Sequence, residues 1–241
     1  MTVVLETAGL KKSFGGVQVI DDLSVQLSEG EALGIIGPNG AGKTTLFNLI
    51  TGVYRPDEGR VTFKGKDVTH VSRQNRCREG MGRTFQIPKP FSGMSVFENV
   101  LVCAAYGRGV RERASYARSV EALEITQLSA KANVQAGALP LLDRKRLELA
   151  RALAGDPSVL LLDEIAGGLT EGEVEVLIET ILDLHREGVS IIWIEHVVHA
   201  LLAVVGRIVA ISFGRNLIEG DPNEVMRSDE VQACYMGGMP T

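Results

Sequence analysis

The stretch Gly37-Pro38-Asn39-Gly40-Ala41-Gly42-Lys43-Thr44 has the residue types and spacing to hold phosphate. It fits G-x-x-x-x-G-K-[ST], the P-loop pattern. Glycines are needed because a side chain would keep the backbone away from the anion; their N–H groups turn inward and cradle it. Lys43 supplies positive charge to the outer phosphates, and the Thr44 hydroxyl is placed to ligate Mg²⁺. With Thr45, these residues form the expected nucleotide-binding set. Hydrolysis needs more than a cradle. Asp163 and Glu164 follow the apolar run Val159-Leu160-Leu161-Leu162. Asp163 is placed to hold Mg²⁺ through water, and Glu164 to polarise an attacking water. Gln86, in Arg83-Thr84-Phe85-Gln86, carries an amide able to reach metal or water. His196 ends another apolar run and can donate to a γ-phosphate oxygen. The same residue types also serve as a surface amide and as a strand-end cap, and the residues alone leave both readings open.

These side chains need rigid elements beneath them. Ala32-Leu33-Gly34-Ile35-Ile36 is a predicted buried strand, and Thr45-Leu46-Phe47-Asn48-Leu49-Ile50 the first turns of a helix whose N-terminus adds partial positive charge. Strands are expected over residues 3–10 and 17–27, broken at Gly15-Gly16, and over 60–64 after the turn Arg55-Pro56-Asp57-Glu58-Gly59. From about residue 95 to 150 helical spacing dominates. Val96, Val100 and Cys103 share one predicted face, and Val120, Leu123 and Leu128 suggest another. Strands 159–162 and 189–194 are apolar runs, Ser190 apart, as in a sheet covered on both faces. A helix over 171–186 lies between them, ended at Gly188. Residues 207–213 are the expected last major strand, and two small helices close the chain.

The 241 residues suit one large domain with an insertion. With 45% hydrophobic and 23% charged residues the composition is that of an ordinary globular chain. A formal net charge of -5 argues against a partner nucleic acid held by bulk positive charge. Cys77, Cys103 and Cys234 lack metal spacing and are expected to be small buried hydrophobes in a reducing compartment. The start, Met1-Thr2-Val3-Val4-Leu5-Glu6, has no basic leader. The most apolar stretch, 197–213, contains His199, Gly206 and Arg207; it suits a helix followed by a strand better than a membrane span.

In this order the residues resemble the ATP-binding subunits of ATP-binding cassette (ABC) transporters over essentially the whole chain. The carriers are residues 37–44 (Walker A), Gln86 (Q-loop), 147–153 of the post-signature helix, 160–164 (Walker B) and His196 (switch histidine). The closer likeness is to branched-chain amino acid importer ATPases, through Arg83-Thr84-Phe85-Gln86, Arg146-Leu147-Glu148-Leu149-Ala150-Arg151-Ala152-Leu153, Ile194-Glu195-His196 and Ile218-Glu219-Gly220-Asp221-Pro222. The resemblance implies an α/β P-loop fold with a RecA-like core, an antiparallel β portion and a helical subdomain at about 87–150 inserted in one domain, 1–241. It implies ATP and Mg²⁺, the latter held by Thr44, Gln86 and Asp163, with Glu164, His196 and Gln86 catalytic. It also implies a head-to-tail dimer in which each P-loop is completed by the other subunit's signature, and integral-membrane permease subunits that keep the chain on the inner face of the cell membrane. Phe14 matches the aromatic that stacks on adenine; a turn-anchoring Phe would look the same. Residues 87–99, including Pro88-Lys89-Pro90-Phe91, correspond to the groove for a permease coupling helix.

The chain departs from the family in three places. The signature Leu-Ser-Gly-Gly-Gln is replaced by Leu139-Pro140-Leu141-Leu142-Asp143. Pro140 offers neither hydroxyl nor N–H, and Leu142 replaces a glycine where backbone approaches the anion. Asp143 is expected to cap the next helix and to place a negative charge near the γ-phosphate. Ile165 stands where proline usually follows the glutamate, and Thr170 takes the polar D-loop position. These changes predict a non-identical ATPase partner. The rival readings are a non-transporter ABC ATPase, which lacks the coiled-coil insertion of repair types here, and a weakly hydrolysing regulatory subunit. A GTPase would need Asn-Lys-x-Asp, which the sequence lacks.

Overall fold

The computed structural model describes residues 2–107 and 112–236. Met1, 108–111 and 237–241 lie outside them, so the leader reading and the outer limits of the domain do too. Two sheets share one core. The first is antiparallel, in the order β2-β1-β4-β5, from β1 (Val3–Phe14), β2 (Val17–Ser28), β4 (Glu58–Phe63) and β5 (Lys66–Asp67). In β2, Leu23, Val25 and Leu27 are buried and the residues between them are not, the period of two that gives a sheet one dry face. The strand expected to stop at residue 10 runs on to Phe14, because bulges between Thr7 and Ser13 keep its pairing in register.

The second sheet runs β10-β9-β3-β8-β7-β6, from β3 (Ala32–Ile36), β6 (Met81–Arg83), β7 (Val159–Asp163), β8 (Ser190–Ile194), β9 (Arg207–Ser212) and β10 (Arg215–Gly220). β3, β7 and β8 are buried at every position, as parallel strands covered on both faces are. Side chains alternate between two apolar layers. Leu160, Leu162, Ile191 and Trp193 face a helical layer. Val159, Leu161, Ile192 and Ile194 face the antiparallel sheet and α1 (Lys43–Ile50).

Between β6 and β7 come α3 (Val96–Gly107), α4 (Glu112–Ile125) and α5 (Leu141–Leu153). The expected α4 face is corrected: Leu123 is buried, Val120 is 46% exposed, and Leu128 is buried beyond the helix end, after Gln127 turns the chain at positive φ. The helix expected over 171–186 is α6 (Glu171–Arg186). Its capping box is Thr170 with Glu173, and Val174, Leu177, Ile178, Ile181 and Leu184 form its buried stripe. The remaining helices are α2 (Arg73–Arg78), α7 (Val198–Val204), α8 (Pro222–Arg227) and α9 (Asp229–Met236). β9 is not the last strand, since Phe213 and Gly214, both at positive φ, turn the chain back into β10.

α2 buries one side chain, Arg76, which is 1% exposed. Its guanidinium donates to Leu49 O and Ile50 O at the C-terminus of α1, and to Thr69 O and Val71 O. A cation there complements the helix dipole. Burial pushes its pKa down to about 10, so it stays charged at neutral pH. The cysteines are less buried than expected: all three are free, Cys77 is exposed, and Cys103 and Cys234 are half-buried.

Candidate functional site

The strand order decides the site. β3, β8, β7 and β6 are parallel neighbours, with Ile35 and Asp163 both paired to Ile194. The loops after their C-terminal ends carry the P-loop, His196, Glu164 and Gln86. They meet on one edge, where open α/β sheets bind ligands.

The phosphate loop joins β3 to α1. Gly37 is packed against β9, where an added Cβ would come within 2.2 Å of the Ile211 carbonyl. Gly40 has a φ of +82° and, its chain neighbours Asn39 and Ala41 apart, no described protein atom within 4 Å of where a Cβ would be, leaving room beside the loop. The cleft, about 300 Å³, is lined by Val19, residues 39–45, Gln86 and Glu164. Gly37 and Pro38 sit behind it, and their carbonyls accept from Lys43 Nζ at 2.6 and 3.1 Å. Lys43 is 6% exposed. Burial lowers its pKa against the opposing pull of Glu164 and Asp163. A buried ammonium hydrogen-bonded to loop carbonyls, beside a helix N-terminus, fits a polyphosphate.

Asp163 and Glu164 diverge. Asp163 is 3% exposed and accepts from Arg83 Nη2 at 2.9 Å. Burial raises its pKa, while Arg83 opposes the rise. Glu164 is strained at a φ of 48°, as residues at functional sites often are. That backbone turns its carboxylate into the cleft, where Oε1 lies 2.8 Å from His196 Nε2 and Oε2 accepts from Gln86 Nε2. The structure thus brings Gln86, Glu164 and His196 into one hydrogen-bonded set facing the P-loop. Phe14 is not among the cleft residues. It is 42% exposed and packs edge-on against Tyr54, 5.1 Å between centroids.

Two further residues, to which the sequence assigned no role of their own, are marked out by the tertiary structure. Lys145, on α5 and 4% exposed, donates to Gln86 O at 3.0 Å and Glu164 O at 3.2 Å. Burial lowers its pKa, with Glu195 and Glu164 opposing. It ties the helical layer to the loops that carry Gln86 and Glu164. Glu195, also buried, accepts from Ala166 N at 2.9 Å and His196 N at 2.8 Å. It fixes the D-loop to the histidine loop.

The departures acquire physical meaning. Asp143 does not cap α5. The cap position is Pro140, without a side-chain bond, and Asp143 sits within the first turn, buried and paired with Lys131 and Arg146. Its charge is paired with these two cations inside the protein, and Pro140 at the cap position has no side-chain acceptor to offer the helix N-terminus. Leu141 instead stands 45% exposed beside Gly168 of the D-loop. Ile165 is simply buried in the helical-side core, and Thr170 caps α6 as a polar D-loop residue should.

A parallel sheet, a phosphate loop at a helix N-terminus and a carboxylate at the end of a neighbouring strand define a P-loop ATPase. Residues 20–167 match the family described as ABC transporter. The chain is 35% identical to the high-affinity branched-chain amino acid transport ATP-binding protein LivG of Salmonella typhimurium, covering 97% of this chain and 98% of that one. It is 30% identical to the lipopolysaccharide export system ATP-binding protein LptB of Haemophilus influenzae, over 97% of both. A solved ATP-binding cassette of an ABC transporter in its ADP conformation superposes with a TM-score of 0.90 at 29% identity, over 98% of this chain and 100% of that one. The chain belongs to the ABC transporter family and is one of its ATP-hydrolysing, ATP-binding subunits. Among the described residues no helix is long and apolar enough to cross a membrane.

Proposed function

We propose that this chain drives import of branched-chain or related amino acids, bound to the inner face of the cell membrane through permease subunits. The observation that carries this reading is the end-to-end likeness to LivG together with an intact Gln86–Glu164–His196 set. The likeness to LptB, an export protein, is lower in identity. We read the chain as one cassette, 1–241, with residues of about 87–150 as its inserted helical subdomain. Lys43 and the loop amides hold the phosphates of ATP. Bound Mg²⁺ would neutralise phosphate charge, and Thr44, Gln86 and Asp163 are the residues to hold it. Glu164 orients and deprotonates the attacking water, and His196 holds Glu164 and the γ-phosphate in register. Phe14 is the aromatic for adenine. The permease docks at residues 87–99, of which Phe91 lines a groove of about 600 Å³ whose walls also include α2, Phe85, Cys103 and Tyr106. Cells lacking the chain should lose ATP-dependent uptake of labelled leucine, isoleucine and valine; undiminished uptake of all three would overturn the cargo.

The partner ATPase is non-identical. The face that should complete a partner's P-loop offers Pro140 and Leu141 where a hydroxyl and a bare backbone are needed. One composite site, built on this P-loop and the partner's signature, then turns over; the other is weak. Restoring the family signature with Pro140→Ser, Leu141→Gly, Leu142→Gly and Asp143→Gln together should raise ATPase of the complex. A rate equal to the parent's would sink the impaired-site reading.

A further inference from the structure

The docking groove and Asp163 share one side chain. Arg83 ends β6, lines the groove, and its side chain is 7% exposed. Its Nη2 donates to Asp163 Oδ2 at 2.9 Å, and its Nη1 to Asn48 Oδ1 on α1 at 2.6 Å. Two rings flank the guanidinium, Phe47 at 5.5 Å and Phe85 at 5.1 Å. Phe47 is fully buried, whereas Phe85 is 43% exposed and faces the groove. The buried Nε has no hydrogen-bond partner among the described residues. The backbone of Asp163 is pinned by the β7–β8 ladder and by Thr84.

We propose that Phe85 and Arg83 are a relay through which occupancy of the groove sets the position of the Asp163 carboxylate. Arg83 is a positioning residue that acts through Asp163. A guanidinium is a rigid planar fork, so displacement of a ring packed beside it moves both of its hydrogen-bonded ends together. Phe47 cannot yield, since it is packed in the core. With its backbone held, the Asp163 carboxylate takes up the motion. A simple buried counter-ion would need neither an exposed stacking ring nor a bond to α1. This inference rests on reading the groove as the docking surface. Coupling between two sites is reciprocal, so the relay is testable without the permease: metal and nucleotide at the cleft must alter the groove.

Cys77 and Cys103 line the groove and report on it. The full chain is labelled with N-ethylmaleimide, with ADP in EDTA or ADP with Mg²⁺, and each cysteine is followed by mass spectrometry. In the parent, Mg²⁺ should change the labelling rate of at least one of them severalfold. In Arg83→Lys, which keeps the charge but not the planar fork, that change should vanish while the melting temperature is retained. In Arg83→Met, the factor by which Mg²⁺ tightens ADP binding should drop roughly 10- to 100-fold, as for residues that orient a metal ligand. Affinity for ADP in EDTA should hold. If Arg83→Met does not fold, the same ratio is read from Arg83→Lys, where an intermediate loss is expected. A parent with no labelling response, an equal response in Arg83→Lys, or an unchanged Mg²⁺ ratio in both variants would overturn the relay. Those failures leave the docking surface standing; that is decided separately by whether Phe85→Asp still co-purifies with the permease.

Discussion

Glu164→Gln should bind ATP as tightly as the parent and yet turn it over roughly 10²- to 10⁴-fold more slowly, the usual contribution of a general base. The amide fills the same space and can still hydrogen-bond Gln86 and His196, whose contacts to Glu164 Oε2 and Oε1 define the set. What it loses is the capacity to take a proton from water. Because the backbone at Glu164 is held at positive φ by Glu164 N donating to Ile194 O at 2.8 Å, the exchange should leave the loop in place. ATP-bound dimers should therefore accumulate, visible by size-exclusion chromatography as a nucleotide-dependent shift. Undiminished turnover would remove Glu164 from its role.

Lys43→Met should abolish nucleotide binding without harming the fold. Lys43 Nζ is buried and bonded to two loop carbonyls, while burial works against its charge. In the absence of phosphate it is thus a cation held at a cost. The thioether of Met keeps the stem volume and removes that cost, so the nucleotide-free variant should melt at or above the parent's temperature. Nucleotide at a hundredfold excess over its Kd stabilises the parent by about 2.7 kcal/mol, a melting shift of roughly 5–10 °C for a domain of this size. The variant should show none of it. A variant that melts well below the parent without nucleotide would mean that Lys43 braces the loop rather than waiting for phosphate.

How far the molecule can be read from its residues depends on how strongly each segment is driven by burial. β7 and β8 declare themselves because both faces are covered and four of the five positions in each are apolar, Asp163 and Ser190 being the exceptions. α6 does so through its stripe and its capping box. By contrast α2 is polar on all sides save one buried arginine, and β10 is largely exposed. Neither has a periodic pattern: the partner of α2, the end of α1, is remote in sequence, and β10 is an edge strand paired with β9 that leaves most of its side chains outside the core. Asp143 fails for a related reason. Its position after Pro140 suggests a cap, but Lys131 and Arg146 turn it inward.

The P-loop shape, the carboxylate pair after an apolar strand and the broken signature are local properties of the sequence. Spacing and side-chain size fix them wherever the chain folds. That Gln86, Glu164 and His196 form one hydrogen-bonded set is not local. It follows from the strand order β3-β8-β7-β6, set by packing between two apolar layers. The same packing buries Lys145 against the loops of Gln86 and Glu164, and Arg83 against Asp163. Buried charges are tolerated only with partners, and those partners come from segments far apart in the chain, which only the tertiary structure brings together.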